Sequence, residues 1–466
     1  MMSLDTSWRC LSDIVHRVMR SIETRKPAQL EAFFTSTQTT EVTIRNSEIL
    51  AQKRADDSGV GFRAAVAGNR VGFACTNRLS NEAILEAVEK ALSIARVSSE
   101  SNCFALPEVC KPASVRGLFD PSIAVISVEE AVDIAERGID AAESFDKRVK
   151  VKAGRVIFVS GWRGVVNSLG VDVEEKETRA VMYLGASGQQ GGEVTGTCYE
   201  TAFSRRADLK PELVGENAAK NVAAMFKPRP VKSFQGAIVF APEAVSYQIC
   251  DVLVDTLKGE NVVAGRSAWA QKVCQRVASE KLTVTDNAAV ENGFASRSFD
   301  DEGCPSQNTC LVEKGGLRGF LHHAGTAKAL GVADTGNASR FSGGLEMVHA
   351  IVGEGYRTKP AVYPSDLTIQ VGSRTKDELL AEVGRGVLVE DMGGFAQRGS
   401  GVISAQLSRA FYVEDGEIRY PIKAGMVSGV CFDWLNHVIG VGSDAKQFQN
   451  AVVPSLLVED VKVIGA

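Results

Sequence analysis

The 466-residue sequence has no apolar run approaching about 18 residues, so no transmembrane helix is expected. Neither sign of charge dominates. Lys and Arg number 52 against 57 Asp and Glu, a net charge of −5, and no basic stripe is present. That balance argues against a protein built on phosphate-backbone contacts, and nucleic acid is not an expected partner. Aromatics make up 7% and prolines number 13, against 44 glycines, which points to many tight turns and strands rather than a long-helix bundle. None of the ten cysteines forms a CxxC pair, and Cys304 and Cys310 have no partner spacing for a zinc site. They read as thiols of a reducing compartment. There is no GxSxG elbow and no cysteine-protease signature. Gly399-Ser400-Gly401 lacks the Gly-Lys-Ser/Thr ending of a phosphate loop. The first residues, MMSLDTSWRCLSDIVHRVMRSIE, lack the apolar block of a secretory signal, so a cytoplasmic location is expected.

What is present is a chain too long for one ordinary core. Apolar residues at helical spacing (Leu11, Ile14, Val15, Val18, Ile22) predict a helix over 4–24. Residues 29–75 alternate as strands, with Gly68-Asn69 as a hairpin turn. Ser80 or Asn81 caps the helix that follows, residues 99–122 form a linker, and Ser127 with Glu130 opens a second helix as a capping box. Strand patterns return at 148–161, 164–188 and 192–204, and a helix closes the unit over 211–226. KPRPVKS, 227–233, is the clearest boundary. Beyond it SAWAQKVCQRV (267–277) reads as a helix. Short strands and glycine turns then dominate, 315–331 among them, with one helix inserted at 375–383. The expected fold class is α+β. Sheet-and-helix units at 1–110 and 111–227 together form an antiparallel N-terminal domain, followed by a large, mainly antiparallel β domain over 228–466.

Several residues have a chemistry to weigh. Asp300-Asp301-Glu302 reads as a solvated acidic loop, with a cation or a peptide amino group as the sharper alternative. His322-His323 is conspicuous among five histidines, but neighbours on a strand point to opposite faces and would not both ligate one metal without a bulge. They read as hydrogen-bonding residues, with His322 a candidate for lining a peptide groove. His16, His349 and His437 are isolated. Arg340 and Arg409 stand near strand ends, where they would clamp a peptide carboxylate or hold a domain interface. Gly401 is a further groove candidate, through backbone N–H groups.

One strand-Pro-helix segment, APEAVSYQICDVLVDTLKGE, gives these residues a context. With KLTVTDN, FDDEGCPSQNTCLVEKGGLRGFLHHAGTAKALG, TGNASR and RGVLVEDMGG followed by GVISAQLSRAFYVEDGEIRYPIKAGMVSG, it resembles the TldD/PmbA family over most of residues 237–466. The resemblance implies a cytoplasmic peptidase assembly in which TldD carries zinc and TldE (PmbA) is its partner. In the zinc-bearing branch the helix holds His-Glu-x-x-x-His and a late Cys completes the site: two imidazoles and a thiolate hold a zinc-bound water, and the Glu takes its proton. Aligned on Leu257, Gly259 and Glu260, those helix positions here are Cys250, Asp251 and Asp255, and no Cys follows Cys431. The expectation is therefore a TldE/PmbA-like subunit of a peptide-processing metalloprotease complex, with no catalytic residue, metal ligand or cofactor of its own. Zinc is expected in a TldD-like partner, and the chain would form that heterodimer, or a homodimer when alone. Cys250 would pack in the core while the aspartates face solvent or a partner. The alternatives are an independent hydrolase with a rewired metal site on Cys250, Asp251, Asp255 and His322, or a non-enzymatic regulatory protein.

Overall fold

The computed structural model describes residues 4–23, 29–340 and 354–465; His349 lies outside them. The fold is α+β, with an antiparallel sheet and helices first and a β-rich region after them. Strands β1 (Gln29–Arg45) and β2 (Glu48–Val66) turn on Asn46 and Ser47, both at positive φ. Strand β3 (Arg70–Thr76) returns through Gly68 and Asn69, at φ 81° and 51°. Strands β4 (Val149–Asn167) and β5 (Asp172–Gln190) join the other side of β1, so both halves of the N-terminal region build one sheet. Helix α1 (Leu4–Glu23) packs on it with α2 (Asn81–Val97), which Ser80 caps by accepting the Ala83 N–H.

The alternation along β1 sorts the sheet into two faces. Leu30, Ala32, Phe34, Val42 and Ile44 lie under the helices. The odd positions Glu31, Thr35, Thr37, Thr39 and Glu41 are buried on the opposite face, which the C-terminal region covers. Here Asp300-Asp301-Glu302 departs from expectation: all three are fully buried, not solvated. Arg163 of β4 bridges Glu175 (2.8 Å) and Asp301 (2.7 Å), and Arg63 of β2 bridges Glu302 (2.7 Å) and Glu31. Arg340 reaches across to Glu31 and donates its backbone N–H to Asp301. Asp300 accepts the N–H groups of Glu302, Cys304 and Ala338, which folds the acidic run into a closed turn. A Cβ at Gly303 (φ 87°) would meet Val171 at 2.5 Å. Sequence reasoning assigned the run to solvent because its counter-charges lie on strands over a hundred residues away.

In the C-terminal region, strand Phe234–Phe240 runs parallel to Arg385–Gln397 and antiparallel to Leu456–Gly465. Gly425–Val430 joins the last of these to Val402–Glu414, which pairs back with Arg385–Gln397, so the strands close into a barrel. A second sheet carries Asp286 and Asp366, both fully buried. Burial raises both carboxyls, Asp286 to about 6 and Asp366, which also feels Asp286, to about 7.

Two expected elements differ. Residues 267–277 are turns, not a helix: Cys274 has φ 65°, and the N–H groups of Cys274 and Val277 bond to Leu317 and Gly315, so tertiary bonds override local propensity. In 315–331 a strand of two residues, Gly316–Leu317, is followed by a helix, Ala324–Leu330, closed by Gly331 at φ 66°. Seven residues are too few for a helical period to show.

Replacing Arg340 by Met should lower unfolding free energy by about 3–5 kcal/mol, because Glu31 loses a buried counter-charge. Denaturant titration should find under about 1 kcal/mol for Arg137→Ala, whose pairs are exposed. Asp366 gives a pH signature. A carboxyl whose folded pKa is raised contributes stability that is complete below about pH 4 and lost as pH rises through about 7. Asp366→Asn keeps an acceptor for the Gln447 amide and offers its NH2 to the Ser296 hydroxyl, which can turn to accept it, and should be more stable than the parent by about 1–3 kcal/mol at pH 8, with the gain vanishing below about pH 4 in unfolding curves across pH.

Candidate functional site

The segment after Phe240 is built to hold a wide helical turn. Ala241 leads into Pro242 at the first helical position, where its missing N–H costs nothing. Val245–Ile249 is a π-helical turn closed by the Cys250 N–H on the Val245 carbonyl. Such turns are rare and frequently mark functional sites. Gln248 stands within it, its amide donating toward the Met392 and Gly394 carbonyls of the barrel strand (3.5 and 3.3 Å). Helix Cys250–Leu257 continues from there.

The three aligned positions on that helix meet different surroundings. Cys250 is 3% exposed in the core, where burial, reinforced by Asp251, pushes its thiol up to about 12. Asp251 is half-buried and accepts from Arg398 Nε at 2.8 Å. Asp255 is half-buried too, and its charge acts on Arg398 and Lys258. The Lys258 ammonium sits 4.9 Å from the centre of the Tyr363 ring, and burial lowers its pKa against the pull of Asp255 and Glu260.

The following step, Leu257-Lys258-Gly259-Glu260, lies against Leu321-His322-His323. Gly259 N–H donates to the Leu321 carbonyl (2.8 Å), and Leu321 N–H to that of Leu257 (2.9 Å). A Cβ on Gly259 would come within 2.3 Å of His322 Nδ1, so this close approach requires glycine. His322 is buried, and burial, with the neighbouring His323, pushes it down to about 4. Its Nδ1 lies 3.3 Å from the Thr326 hydroxyl. His323 caps the helix Ala324–Leu330: its Nδ1 accepts the Gly325 and Thr326 N–H groups, and Nε2 lies 3.4 Å from Glu260. Burial opposes its charge, but Glu302 and Glu260 outweigh that and raise its pKa. Glu260, His323, Glu302, Arg63 and Glu31 thus form a polar line from the helix end to the N-terminal sheet.

The histidine pair is therefore brought to Gly259 and Glu260. Among the described residues, one group of Asp, Glu, Cys or His has ligand atoms within 4.8 Å of one another: Asp300, Cys304 and Asp334. Cys250, Asp251, Asp255 and His322 do not form such a group. Arg340, a groove candidate in the sequence, is 2% exposed and faces the sheet through Glu31. Arg409 is 3% exposed and shared between Glu243 and Glu390, both at 2.9 Å. Gly401 forms the hairpin turn at φ 72°, where a Cβ would meet Phe432 at 2.6 Å. Sequence reasoning missed Arg398 and Tyr363, for which no local pattern exists. Nor does any local pattern pair Glu260 with His323, 63 positions further along the chain.

Thiol titration checks this packing. Cys10, Cys75, Cys110, Cys274 and Cys310 are exposed and should react quickly in the native protein at pH 8. Cys250, Cys198, Cys304 and Cys431 are buried and should react only on unfolding.

Comparison with known proteins gives the chain's family. Residues 30–95 match the PmbA/TldA metallopeptidase domain 1, 121–226 the central domain and 234–465 the C-terminal domain. The chain is 27% identical to the metalloprotease PmbA of Escherichia coli O157:H7 over 405 residues, 85% of this chain and 84% of that protein. It is 24% identical to a metalloprotease TldD homolog of Haemophilus influenzae over 446 residues, covering 88% and 87%. The crystal structure of TldE from Thermococcus kodakarensis superposes with a TM-score of 0.88 at 24% identity, over 97% of this chain and 100% of that one, a likeness of fold. With its three family domains in order along the chain, this protein belongs to the PmbA/TldD metallopeptidase family.

Proposed function

We propose that this chain is a TldE/PmbA-like subunit of a TldD/TldE-type metalloprotease complex that degrades or processes peptides in the cytoplasm, and that it contributes no zinc ligand of its own. The observation that carries this reading is the fate of the helix Cys250–Leu257. A zinc site needs a thiolate or neutral imidazoles aimed at one point, with a carboxylate free to take a proton. Here the Cys250 thiol lies in the core and holds its proton to about pH 12, Asp251 is engaged by Arg398, and no imidazole stands on the helix. His322 lies behind Gly259 near Thr326. These residues do not fit a zinc ion, and no catalytic step is derived from them.

The scaffold is nonetheless kept: the strand, Pro242, the wide turn and the Gly259 contact are all in place. A fold retained after its ligands are gone makes sense if a surface still has a partner to fit. The partner would be a TldD-like subunit carrying zinc on His-Glu-x-x-x-His, and the two chains would enclose an extended peptide. Backbone pairing with exposed strands is the natural way to hold such a substrate irrespective of its sequence.

The test is co-expression with a TldD-like protein. The two chains should co-purify, zinc should follow the partner, and peptidase activity should appear only in the mixture and vanish when the partner's histidines are replaced. Stoichiometric zinc and peptidase activity in this chain alone, both lost in Cys250→Ala and Asp255→Ala, would instead establish the independent hydrolase.

A further inference from the structure

The acidic turn has a side that its arginines do not use. Arg63, Arg163 and Arg340 pair with Glu302, Asp301 and Glu31, and none of those pairs includes Asp300. Asp300 and Cys304 instead converge with Asp334, in the loop after the helix Ala324–Leu330. The Cys304 Sγ and one carboxylate oxygen from each aspartate lie within 4.8 Å of one another. Asp300 and Cys304 are buried, and Asp334 is partly exposed.

Negative charge is in excess at this point. Asp300 Oδ1 accepts the Glu302 and Cys304 N–H groups, both at 2.9 Å, and its Oδ2 that of Ala338 at 2.8 Å. Such contacts suit a carboxylate rather than an acid. Yet burial, with Asp334 and Glu302 close by, pushes Asp300 up to about 8. Burial and Glu302 also raise Asp334, to about 6, and burial with all three acids pushes the Cys304 thiol up. Arg297 eases the charge on Asp300, but its guanidinium donates to the Ala338 and Gly336 carbonyls (3.1 and 3.3 Å). Asp334 Oδ1 accepts the Gly336 N–H at 3.0 Å, while its Oδ2 is enclosed and no N–H or O–H group donates to it. That oxygen, the second lone pair of Asp300 Oδ2 and the Cys304 sulfur remain for a cation, which would displace protons from the site.

The donor set selects the kind of ion. One thiolate with two carboxylates suits a borderline divalent metal, whereas calcium and magnesium take oxygen ligands. Tetrahedral zinc, with bonds of about 2.3 Å to sulfur and about 2.0–2.2 Å to oxygen, holds its ligand atoms about 3.3–3.7 Å apart, inside the limit found here. We propose that Asp300, Cys304 and Asp334 bind one divalent cation of the zinc or cobalt type, with water from the Asp334 side completing its shell, and that this cation fastens the acidic turn to the loop at 334. The two segments so joined hold the histidine pair: Glu302 accepts the Ala324 N–H at 3.0 Å, and the Thr335 hydroxyl accepts the His322 N–H at 2.7 Å. The proposal goes beyond the subunit role, since none of the three ligands lies on the helix Cys250–Leu257 and no partner is needed. Metal bound here would be additional to a partner's zinc and would remain when the partner's histidines are replaced.

Titration of the metal-free full chain with cobalt(II) under reducing conditions tests it. One equivalent should bind, give the near-ultraviolet charge-transfer band of thiolate-bound cobalt, and raise the melting temperature. Added zinc should abolish the band. Cys304→Ser should remove both the band and the melting shift, and Asp334→Asn should weaken binding about ten-fold or more. Asp334→Cys adds a second thiolate and should intensify the band, which a misfolded variant would not do. Cys250→Ala and Cys310→Ser should keep it. Absence of a stoichiometric band, a band that survives Cys304→Ser, or one lost in Cys250→Ala would each overturn the site, and none of these results depends on whether a TldD-like partner exists.

Discussion

The interlocked ion pairs between the N-terminal sheet and the turn at Asp300-Asp301-Glu302 set the arrangement of everything else. The sheet has helices on one face only, so its other face must be covered, and β1 presents Glu31 and a row of threonines there. A buried carboxylate without a counter-charge is far more costly than a buried methyl group. The fold answers with guanidinium groups from both sides: Arg63 and Arg163 from the sheet, Arg340 from the C-terminal region. Apolar packing of the same volume is often as stabilising as such a lock, but removing one partner of the lock leaves a buried charge uncompensated. The lock also fixes Glu302, which helps set the charge of His323 and so links the lock to the helix end at Glu260.

The site is best understood through that linkage. Around the helix Cys250–Leu257 one thiol is turned inward, one carboxylate is bound by Arg398, and His322 is packed against Gly259. The backbone around these side chains is unusually constrained, with a π-helical turn, a glycine that admits no Cβ, and a histidine used as a helix cap.

Much of the architecture could be read from the residues, and the exceptions share a cause. Gly68-Asn69, the Ser127–Glu130 capping box and the alternation of β1 act over a few residues, so their signals are local and the structure has them as expected. The TldD/PmbA resemblance rested on the order of several segments and holds across three domains. The acidic turn at 300–302 and the turns at 267–277 were misjudged because their conformations are set by Arg63, Arg163, Gly315 and Leu317, residues distant in sequence or on another strand. Arg398 and Tyr363 reach the site for the same reason. No pattern along the chain announces them.

The closed barrel has a consequence for how the chain folds. Its first strand, Phe234–Phe240, lies between Arg385–Gln397 and Leu456–Gly465, so neither of its neighbours exists until at least 145 residues more have been made. Loop-closure entropy must be met before those pairings return anything, and contacts of such separation slow folding. During synthesis every strand of the antiparallel N-terminal sheet has been made while the barrel still lacks its last wall. The acidic turn and its arginines are in place earlier than Leu456–Gly465, which makes the finished sheet a template on which the later half of the chain assembles.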